Sequence, residues 1–295
     1  MRTPPQIRML PDGRRLHLQD GPIDLIIEAF GAASAIRMAY QAAATRFGGL
    51  LEELCDELPL LRRPADPDNC LLHGPVAKRM HAAIAPFAAD RFITPMAAVA
   101  GAVAEQILHA MTAAASLAKA YVNNGGDIAL HLSPRERFTI GLIDRPDRPS
   151  LFGMAVLSSA DGVGGIATSG WRGRSFSLGI ADAVTVLAAT ASSADAAATI
   201  VANAVDLPGH AAVVRVPARE IQEDSDLGCR LVTREVGSLD LAEIHQALEC
   251  GASYAKRLLA AGLIKAAALH LLGETRVVGL SANSSEREQR VLSHA

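Results

Sequence analysis

The sequence predicts an α/β-type fold that contains long helices and paired strands. In several stretches apolar residues recur every three or four positions, as at Val99, Val103 and Ile107, which is typical of amphipathic helices. Elsewhere short apolar runs are separated by turn-forming Gly, Asn and Asp, as at residues 123–127, which is typical of strands joined by tight turns. Of the residues, 50% are hydrophobic and only 4% are aromatic, so we expect small side chains to fill a closely packed core.

The N-terminal part is predicted to begin with strands and to continue with helices. Turn formers at residues 11–13 and 20–22 separate short apolar runs, and the period then changes to that of a helix. Gly48 and Gly49 are an expected break in the first helix. The predicted elements are the strands Ile7–Leu10, Leu16–Leu18 and Leu25–Ile27 and the helices Ala29–Leu58, Pro75–Ala88 and Met96–Ala118.

In the C-terminal part, strands and helices are predicted to alternate. The predicted strands are Ala120–Asn123, Ile128–Leu132, Phe138–Ile143, Met154–Ser158, Ala183–Ala188, Ile264–Leu271 and Thr275–Leu280, and the helices are Ser192–Val205 and Leu239–Ala260. A helix followed by two strands occurs at 96–132 and again at 239–280, which hints at an internal duplication. We predict a single domain over residues 1–280 and a polar tail over 281–295.

Composition and charge exclude several classes of protein. The net charge is -3 and no basic stripe is present, which argues against a nucleic-acid partner. The four cysteines are far apart in the sequence, which favours reduced thiols over a zinc or redox site. The N-terminus lacks the apolar stretch of a secretory signal, and charged residues such as Glu105 interrupt the longest apolar runs. We therefore expect a cytoplasmic protein with no membrane span.

The first segment that suits a binding site is residues 121–128, with the sequence YVNNGGDI. Glycines permit positive φ and close approach of a ligand to the backbone, while Asn and Asp side chains bind hydroxyl groups. The alternative is a plain β-hairpin, since Asn-Gly is a strong hairpin signal.

The second segment, residues 162–174, contains five glycines together with Thr168 and Ser169. Its backbone N–H groups suit an anion or a planar ring, and Arg172 and Arg174 could offset phosphate charge. It has neither the Lys-Ser/Thr ending of a P-loop nor the spacing of a dinucleotide fingerprint. A flexible surface loop is the alternative.

The third segment runs from Asp182 through Thr185 to a helix that carries Asp195 and Thr199. On a helix, residues four apart stack on one face, so a carboxylate and a hydroxyl would lie together. Such hard oxygen ligands suit Mg²⁺ that bridges phosphates. Alternatively, Asp195 compensates the dipole of its own helix, in the first turn after an N-cap at Ser192 or Ser193.

These segments, in this order, resemble the ApbE family of FAD:protein FMN transferases, and especially its uncharacterised cytoplasmic relatives. The resemblance covers roughly residues 75–206 and rests on the blocks FITPMAAVAGAVAE, YVNNGGDI, GIATSGW, ADAVTV and ADAAATIVANAV. Singly each block is weak, but five blocks in order are specific. The resemblance implies a T-fold-like α+β architecture with antiparallel sheets packed on long helices.

The resemblance also implies a flavin nucleotide, FAD or FMN, and Mg²⁺ as ligands. It implies Asp195 and Thr199 as magnesium ligands, and Asp127 and Asp182 are the candidate catalytic bases. The implied flavin-site residues are Met96, Asn123, Asn124, Gly125, Gly126, Asp127, Thr168, Ser169, Gly170 and Thr185.

The chain departs from ApbE at two places that bear on transfer of FMN. Ala100 stands where the family has lysine before Gly101, and residues 176–181 replace a His-x-x-Asp-Pro segment. We therefore expect a flavin-nucleotide-binding protein whose transferase activity is doubtful. The alternative is a non-catalytic accessory protein in a pathway such as sulfur incorporation. A protein partner and a homodimer are left open.

Overall fold

The computed structural model describes residues 4–143 and 151–279. Its strands are β1 (Gln6–Met9), β2 (Leu16–Asp20), β3 (Ile23–Phe30), β4 (Lys119–Asn124), β5 (Asp127–Leu132), β6 (Arg137–Ile143), β7 (Leu151–Ser158), β8 (Gly165–Ser169), β9 (Ala183–Ala188), β10 (Val213–Pro217), β11 (Leu231–Val236), β12 (Ala266–Leu271) and β13 (Glu274–Val278). Its helices are α1 (Ala33–Phe47), α2 (Leu50–Asp56), α3 (Leu58–Leu61), α4 (Pro75–Ala88), α5 (Val99–Ala114), α6 (Ala191–Ala204), α7 (Ala218–Ile221) and α8 (Leu241–Ala260). A 3-10 turn, Pro95–Ala98, leads into α5.

Nine strands form one antiparallel sheet in the order β1-β2-β3-β4-β5-β8-β9-β12-β13. Between β5 and β8 the ladder has only two residue pairs, Ile128 opposite Ile166 and Ala129 opposite Gly165. Because neighbouring strands run in opposite directions, the turn between β4 and β5, the end of β8 and the start of β9 lie at one edge of the sheet.

One face of the sheet packs against the helices, where α6 begins in a narrow space between α5 and β8. A Cβ atom added to Gly101 of α5 would lie 2.3 Å from the carbonyl oxygen of Ala191. One added to Gly165 of β8 would lie 2.2 Å from the backbone nitrogen of the same Ala191. Only glycine at both positions lets the first residue of α6 sit between these two elements.

The hairpin of β6 and β7 lies on the other face of the sheet. The ring of Phe138 on β6 makes edge contacts with Tyr121 and Phe30, with centroids 6.1 and 6.3 Å apart. A second apolar cluster lies beneath this hairpin and contains Leu130, Leu157, Val163, Ile166, Leu187 and Ala266.

The segment Pro95–Ala114 is long and apolar enough to cross a membrane, with a mean hydropathy of 1.2. In this fold 44% of the most apolar 18-residue stretch of the segment is buried inside the protein. Glu105, in its middle, forms an ion pair with Arg79 of α4. The segment therefore packs as a helix of the core, which passes the same test of length and composition.

The predicted α+β class, with antiparallel sheets packed against helices, is confirmed. The first predicted helix begins too early, because β3 extends to Phe30. Its predicted break at Gly48 and Gly49 is confirmed, since α1 ends at Phe47 and α2 begins at Leu50 after Gly49 takes a φ of +79°. The surface-loop alternative for residues 162–174 is wrong for its first half, since β8 lies inside the sheet. The hairpin of β10 and β11 was not predicted.

The internal duplication and the extent of the domain both stay predictions. The order of a helix and a hairpin is the same in α5-β4-β5 and α8-β12-β13, but an internal duplication stays a prediction. The extent of the domain also stays a prediction, and the tail over 281–295 lies outside the described residues.

The contact of Gly101 with Ala191 gives a stability test. We expect Gly101→Ala to lower the free energy of unfolding by about 1–3 kcal/mol, because the added methyl group meets backbone that lies between two elements. Urea denaturation measures this change. Gly48→Ala is the matched control, since its Cβ would contact only the Thr45 carbonyl oxygen at an ordinary 3.6 Å. Equal stability of both variants would contradict the packing argument.

Candidate functional site

Two carboxylates from different elements meet at the edge of the sheet. Asp127 is the first residue of β5 and points toward the helices, on the same side as the buried Ala129. Asp195 lies in the second turn of α6. Both residues are partly exposed, so a ligand can reach them from solvent.

The two carboxylates share an unfavourable electrostatic environment. Burial raises the pKa of Asp195 well above its ordinary value, and the neighbouring charge of Asp127 adds to that effect. Burial also raises the pKa of Asp127 to about 7, opposed by a hydrogen bond from the Thr168 N–H to Oδ1 at 3.3 Å. A cation between the carboxylates would relieve this repulsion.

Asp195 also accepts a hydrogen bond from the backbone at the N-terminus of α5. Its Oδ2 accepts a hydrogen bond from the Gly101 N–H at 3.0 Å, and the Ala100 N–H further stabilises the carboxylate. Ala98 is the N-cap of α5 and has no side-chain acceptor, so Asp195 supplies the missing one from another helix. The alternative considered for Asp195, compensation of the α6 dipole, is thus replaced by a role at α5.

The predicted N-cap of α6 is also corrected. Thr190 is the N-cap, and its side chain accepts a hydrogen bond from the Ser193 N–H at 3.2 Å. Ser192 and Ser193 are the second and third residues of the helix. Because α6 begins earlier than predicted, Asp195 lies beyond its first turn.

The segment at residues 121–128 is a hairpin that also places site residues. Gly125 and Gly126 have φ of +65° and +116° and join Asn124 to Asp127. The Asn123 Oδ1 accepts a hydrogen bond from the Gly126 N–H at 2.8 Å, and the Asn124 Nδ2 donates to the Ala100 carbonyl at 3.1 Å. The hairpin and site interpretations are therefore compatible, because the turn holds Asp127 beside α5.

The hydroxyls of Thr168 and Thr185 form a pair on the opposite face of the sheet. Their Oγ1 atoms are 2.9 Å apart on the adjacent strands β8 and β9. By strand alternation they lie on the same side as Ile166 and Leu187, which belong to the cluster beneath β6 and β7. Only the backbone N–H of Thr168 reaches the carboxylate site. Ser169, by the same alternation, faces the helices.

The Asp182 side chain forms hydrogen bonds that hold the loop after β8. Its Oδ1 accepts from Arg172 Nε at 2.6 Å, its Oδ2 accepts from the Leu272 N–H at 2.6 Å, and it is only 2% exposed. Gly170 approaches its backbone so closely that a Cβ would lie 2.5 Å from the Asp182 carbonyl oxygen. Catalytic roles for Asp182 and Asp127 remain predictions, and these contacts leave Asp182 little exposed surface for a substrate.

The remaining predicted residues lie near the start of α5 or along α6. Thr199 is partly exposed, one turn beyond Asp195, and its hydroxyl makes no hydrogen bond within the part of the chain that the structure describes. Met96 is partly buried in the 3-10 turn before α5. Asn203, one turn further along α6, accepts from the Leu178 N–H at 2.9 Å and so holds the loop.

Sequence reasoning missed the role of Glu105. Its Oε2 accepts from the Ser192 N–H at 3.2 Å and the Ser192 hydroxyl at 2.7 Å, and its other oxygen pairs with Arg79. Glu105 lies one turn after Gly101, so α5 contacts the start of α6 at two successive turns. A single carboxylate inside an apolar helix was the available signal.

The donor set suits magnesium better than a transition metal. Within residues 4–143 and 151–279, no three His, Cys, Asp or Glu side chains gather as they would around such an ion. Asp127, Asp195 and the hydroxyl of Thr199 are oxygen donors, and Mg²⁺ commonly takes one or two carboxylates and completes its shell with water and phosphate. The chemistry of these residues therefore fits the implied ion. Asp195 and Thr199 as its ligands remain a prediction, and Asp127 adds a carboxylate beside Asp195.

Together these features define the class: an α+β protein with two neighbouring carboxylates at the edge of an antiparallel sheet. The chain belongs to the family described as AbpE bacteria, whose model matches residues 7–277. The resemblance to a family related to ApbE is thereby confirmed.

The chain is also similar to individual proteins described as UPF0280 proteins. A UPF0280 protein of Methanopyrus kandleri is 44% identical over 129 residues, 43% of this chain and 48% of the relative. Those of Methanosphaerula palustris and Methanococcoides burtonii are 39% and 36% identical, over 48% and 55% of this chain and 56% and 66% of theirs. The chain spans about half the length of the first of these curated relatives.

Among solved structures, the apo form of the Pseudomonas stutzeri flavinyl transferase ApbE matches with a TM-score of 0.42 and 12% identity. The match covers 94% of this chain and 95% of that one.

The raised pKa of Asp127 predicts how stability depends on pH. Because its folded-state pKa is about 7, against an ordinary value near 4, the fold favours the protonated form. The stabilisation is complete below about pH 4 and is lost as the pH rises through about 7. Without divalent cations, the Tm should fall from about pH 5 to about pH 8, and it should fall less in Asp127→Asn. Parallel Tm curves for both proteins would show that Asp127 does not titrate in this way.

Proposed function

We propose that this protein binds a flavin nucleotide, FAD or FMN, with a Mg²⁺ ion held by Asp127, Asp195 and Thr199. The observation that carries the proposal is the pair of partly exposed carboxylates, each with a raised pKa, at the start of α5. Two like charges in such a position are costly unless a ligand compensates them. The motifs shared with ApbE point to a flavin nucleotide as that ligand.

The chain's own residues would divide the binding task. Asp127 and Asp195 would hold the ion in their ionised form, while the Gly101 N–H keeps the Asp195 carboxylate oriented. When bound, Mg²⁺ would neutralise phosphate charge and orient the phosphate groups. The Thr168 N–H fixes Asp127 from the side of β8, so both carboxylates are held by backbone donors.

The turn between β4 and β5 offers an open surface beside these carboxylates. A Cβ added to Gly126 would have no atom within 4 Å, and both turn glycines are exposed. A nucleotide bound at Asp127 could therefore extend over this turn without displacing protein. Asn123 and Asn124 are already engaged in holding the turn and Ala100, which supports an indirect role for their side chains.

Efficient transfer of FMN is not part of the proposed function. Transfer needs a base that activates the acceptor hydroxyl and a group that stabilises the charge developing on phosphate. The segment in place of the family's His-x-x-Asp-Pro has no strong base, and its Ile180 and Ala181 are fully buried. Within it, a Cβ on Gly179 would lie 2.1 Å from the Ala202 carbonyl oxygen, so this segment serves packing against α6.

The same observation favours a second candidate function. A protein with no base in the replaced segment would act as a non-catalytic accessory protein, with or without a nucleotide in its pocket, in a pathway such as sulfur incorporation into amino acids. A cytoplasmic location and a protein partner or homodimer belong to this proposal. Flavin bands in the absorption spectrum of the purified protein, or of protein incubated with FAD, would favour the binding function over an accessory role without a ligand.

The first test is the Mg²⁺ dependence of flavin binding. Asp195→Asn keeps an acceptor oxygen for the Gly101 N–H but removes the charge, so the fold should survive. We expect it to weaken Mg²⁺-dependent binding of FAD at least about tenfold, or about 1.4 kcal/mol. Titration of flavin fluorescence with and without Mg²⁺ measures the effect, and the exposed Asp161→Asn is the control. Unchanged Mg²⁺-dependent affinity in Asp195→Asn would rule out its role as a ligand.

The second test concerns transfer. The protein is incubated with FAD, Mg²⁺ and a threonine-containing peptide that bears an ApbE acceptor motif, and the peptide is analysed for the FMN mass increment. We expect bound FAD and little modified peptide, because no base lies in the replaced segment. Efficient modification that Asp195→Asn abolishes would instead establish a transferase.

A further inference from the structure

The loop that follows β8 carries two arginines with different surroundings. Arg172 is held on two sides, because its Nε donates to Asp182 at 2.6 Å and its guanidinium lies 4.2 Å from the centre of the Trp171 ring. Its side chain is 19% exposed. Arg172 therefore anchors the loop and is not available to a ligand.

Arg174 lies two residues further on, at the turn between β4 and β5. Its Nη1 is 3.6 Å from the position that a Cβ on Gly125 would occupy. A hydrogen bond from the Gly173 N–H to the Gly170 carbonyl, 3.1 Å long, closes a turn that contains Arg172 and ends just before Arg174. The two side chains consequently reach different neighbours, Asp182 for Arg172 and the turn glycine for Arg174.

The guanidinium of Arg174 is exposed and has no carboxylate partner among residues 4–143 and 151–279. It lies next to the turn that ends in Asp127, yet it makes no ion pair within 4.0 Å of that carboxylate. A guanidinium has five N–H donors in a planar fork that matches phosphate oxygens. Its position over an open turn, beside a carboxylate that would hold Mg²⁺, suits the outer oxygens of a bound phosphate.

We propose that Arg174 contacts the phosphate groups of the bound nucleotide and makes the site prefer phosphorylated flavins over uncharged riboflavin. This inference rests on the proposed function for the identity of the ligand. It adds a specificity-determining residue and assigns different roles to the two arginines of the loop.

The test measures binding of FAD, FMN, riboflavin and ADP, each with Mg²⁺, to wild type and to Arg174→Gln. One lost charge-assisted contact should weaken FAD, FMN and ADP about tenfold and leave riboflavin unchanged. Arg174→Lys should recover part of the loss, since lysine keeps the charge without the fork. Arg234→Gln, at an exposed position on β11, is the control and should bind all four ligands like wild type.

The outcomes separate this inference from the proposed function. FAD binding that is equal in wild type and Arg174→Gln, at equal Tm, would overturn the role of Arg174 and leave the function standing. Equal losses for FAD and riboflavin would also overturn it, because the contact would then not be to phosphate. Binding of ADP that depends on Arg174, without any flavin binding, would support the contact and refute the flavin. If wild type binds none of the four ligands, both proposals fail.

Discussion

The position of the first turn of α6 is the constraint on which the candidate site depends. Ala191 fits between α5 and β8 because Gly101 and Gly165 leave space for its backbone. Two carboxylates then connect the helices in both directions. Asp195 of α6 accepts from the Gly101 N–H at the start of α5, and Glu105 of α5 accepts from the Ser192 N–H at the start of α6. With helix spacing fixed in this way, Asp195 has little freedom to move away from Asp127.

This packing holds Asp127 and Asp195 in positions that are electrostatically unfavourable when both are ionised. Isolated in solvent, two aspartates would separate or hydrate, but here backbone donors fix both of them. Burial raises the pKa of both carboxyl groups, and the neighbouring charge of Asp127 raises that of Asp195 further. Arrangements that oppose stability persist where the surrounding structure over-determines them, and they concentrate at functional sites. That reasoning supports a binding role for this edge of the sheet independently of any motif.

Much of this arrangement could be predicted from the sequence, because the signals were local. The period of α5, the turn at Gly125 and Gly126, and the spacing of Asp195 and Thr199 were all visible in short windows. The central position of β8 could not be predicted, because a glycine-rich strand looks like a loop until its neighbours are known. The separation of Thr168 from the carboxylates also needed the register, since a side chain's face depends on strand pairing. The partners of Arg172 and Arg174 depend on tertiary contacts that no spacing indicates.

The two-pair ladder between β5 and β8 gives the sheet a seam near its middle. On one side lie the five strands β1 to β5, and on the other lie β8, β9, β12 and β13. Across this seam Asp127 accepts from the Thr168 N–H, while Asp195 reaches back from α6 to α5. An ion held by both aspartates would therefore cross-link the two halves at the ladder that has the fewest backbone pairs in the sheet. Binding of the ion would then stabilise the folded sheet by mass action, because the ion would bind only where both halves are in place.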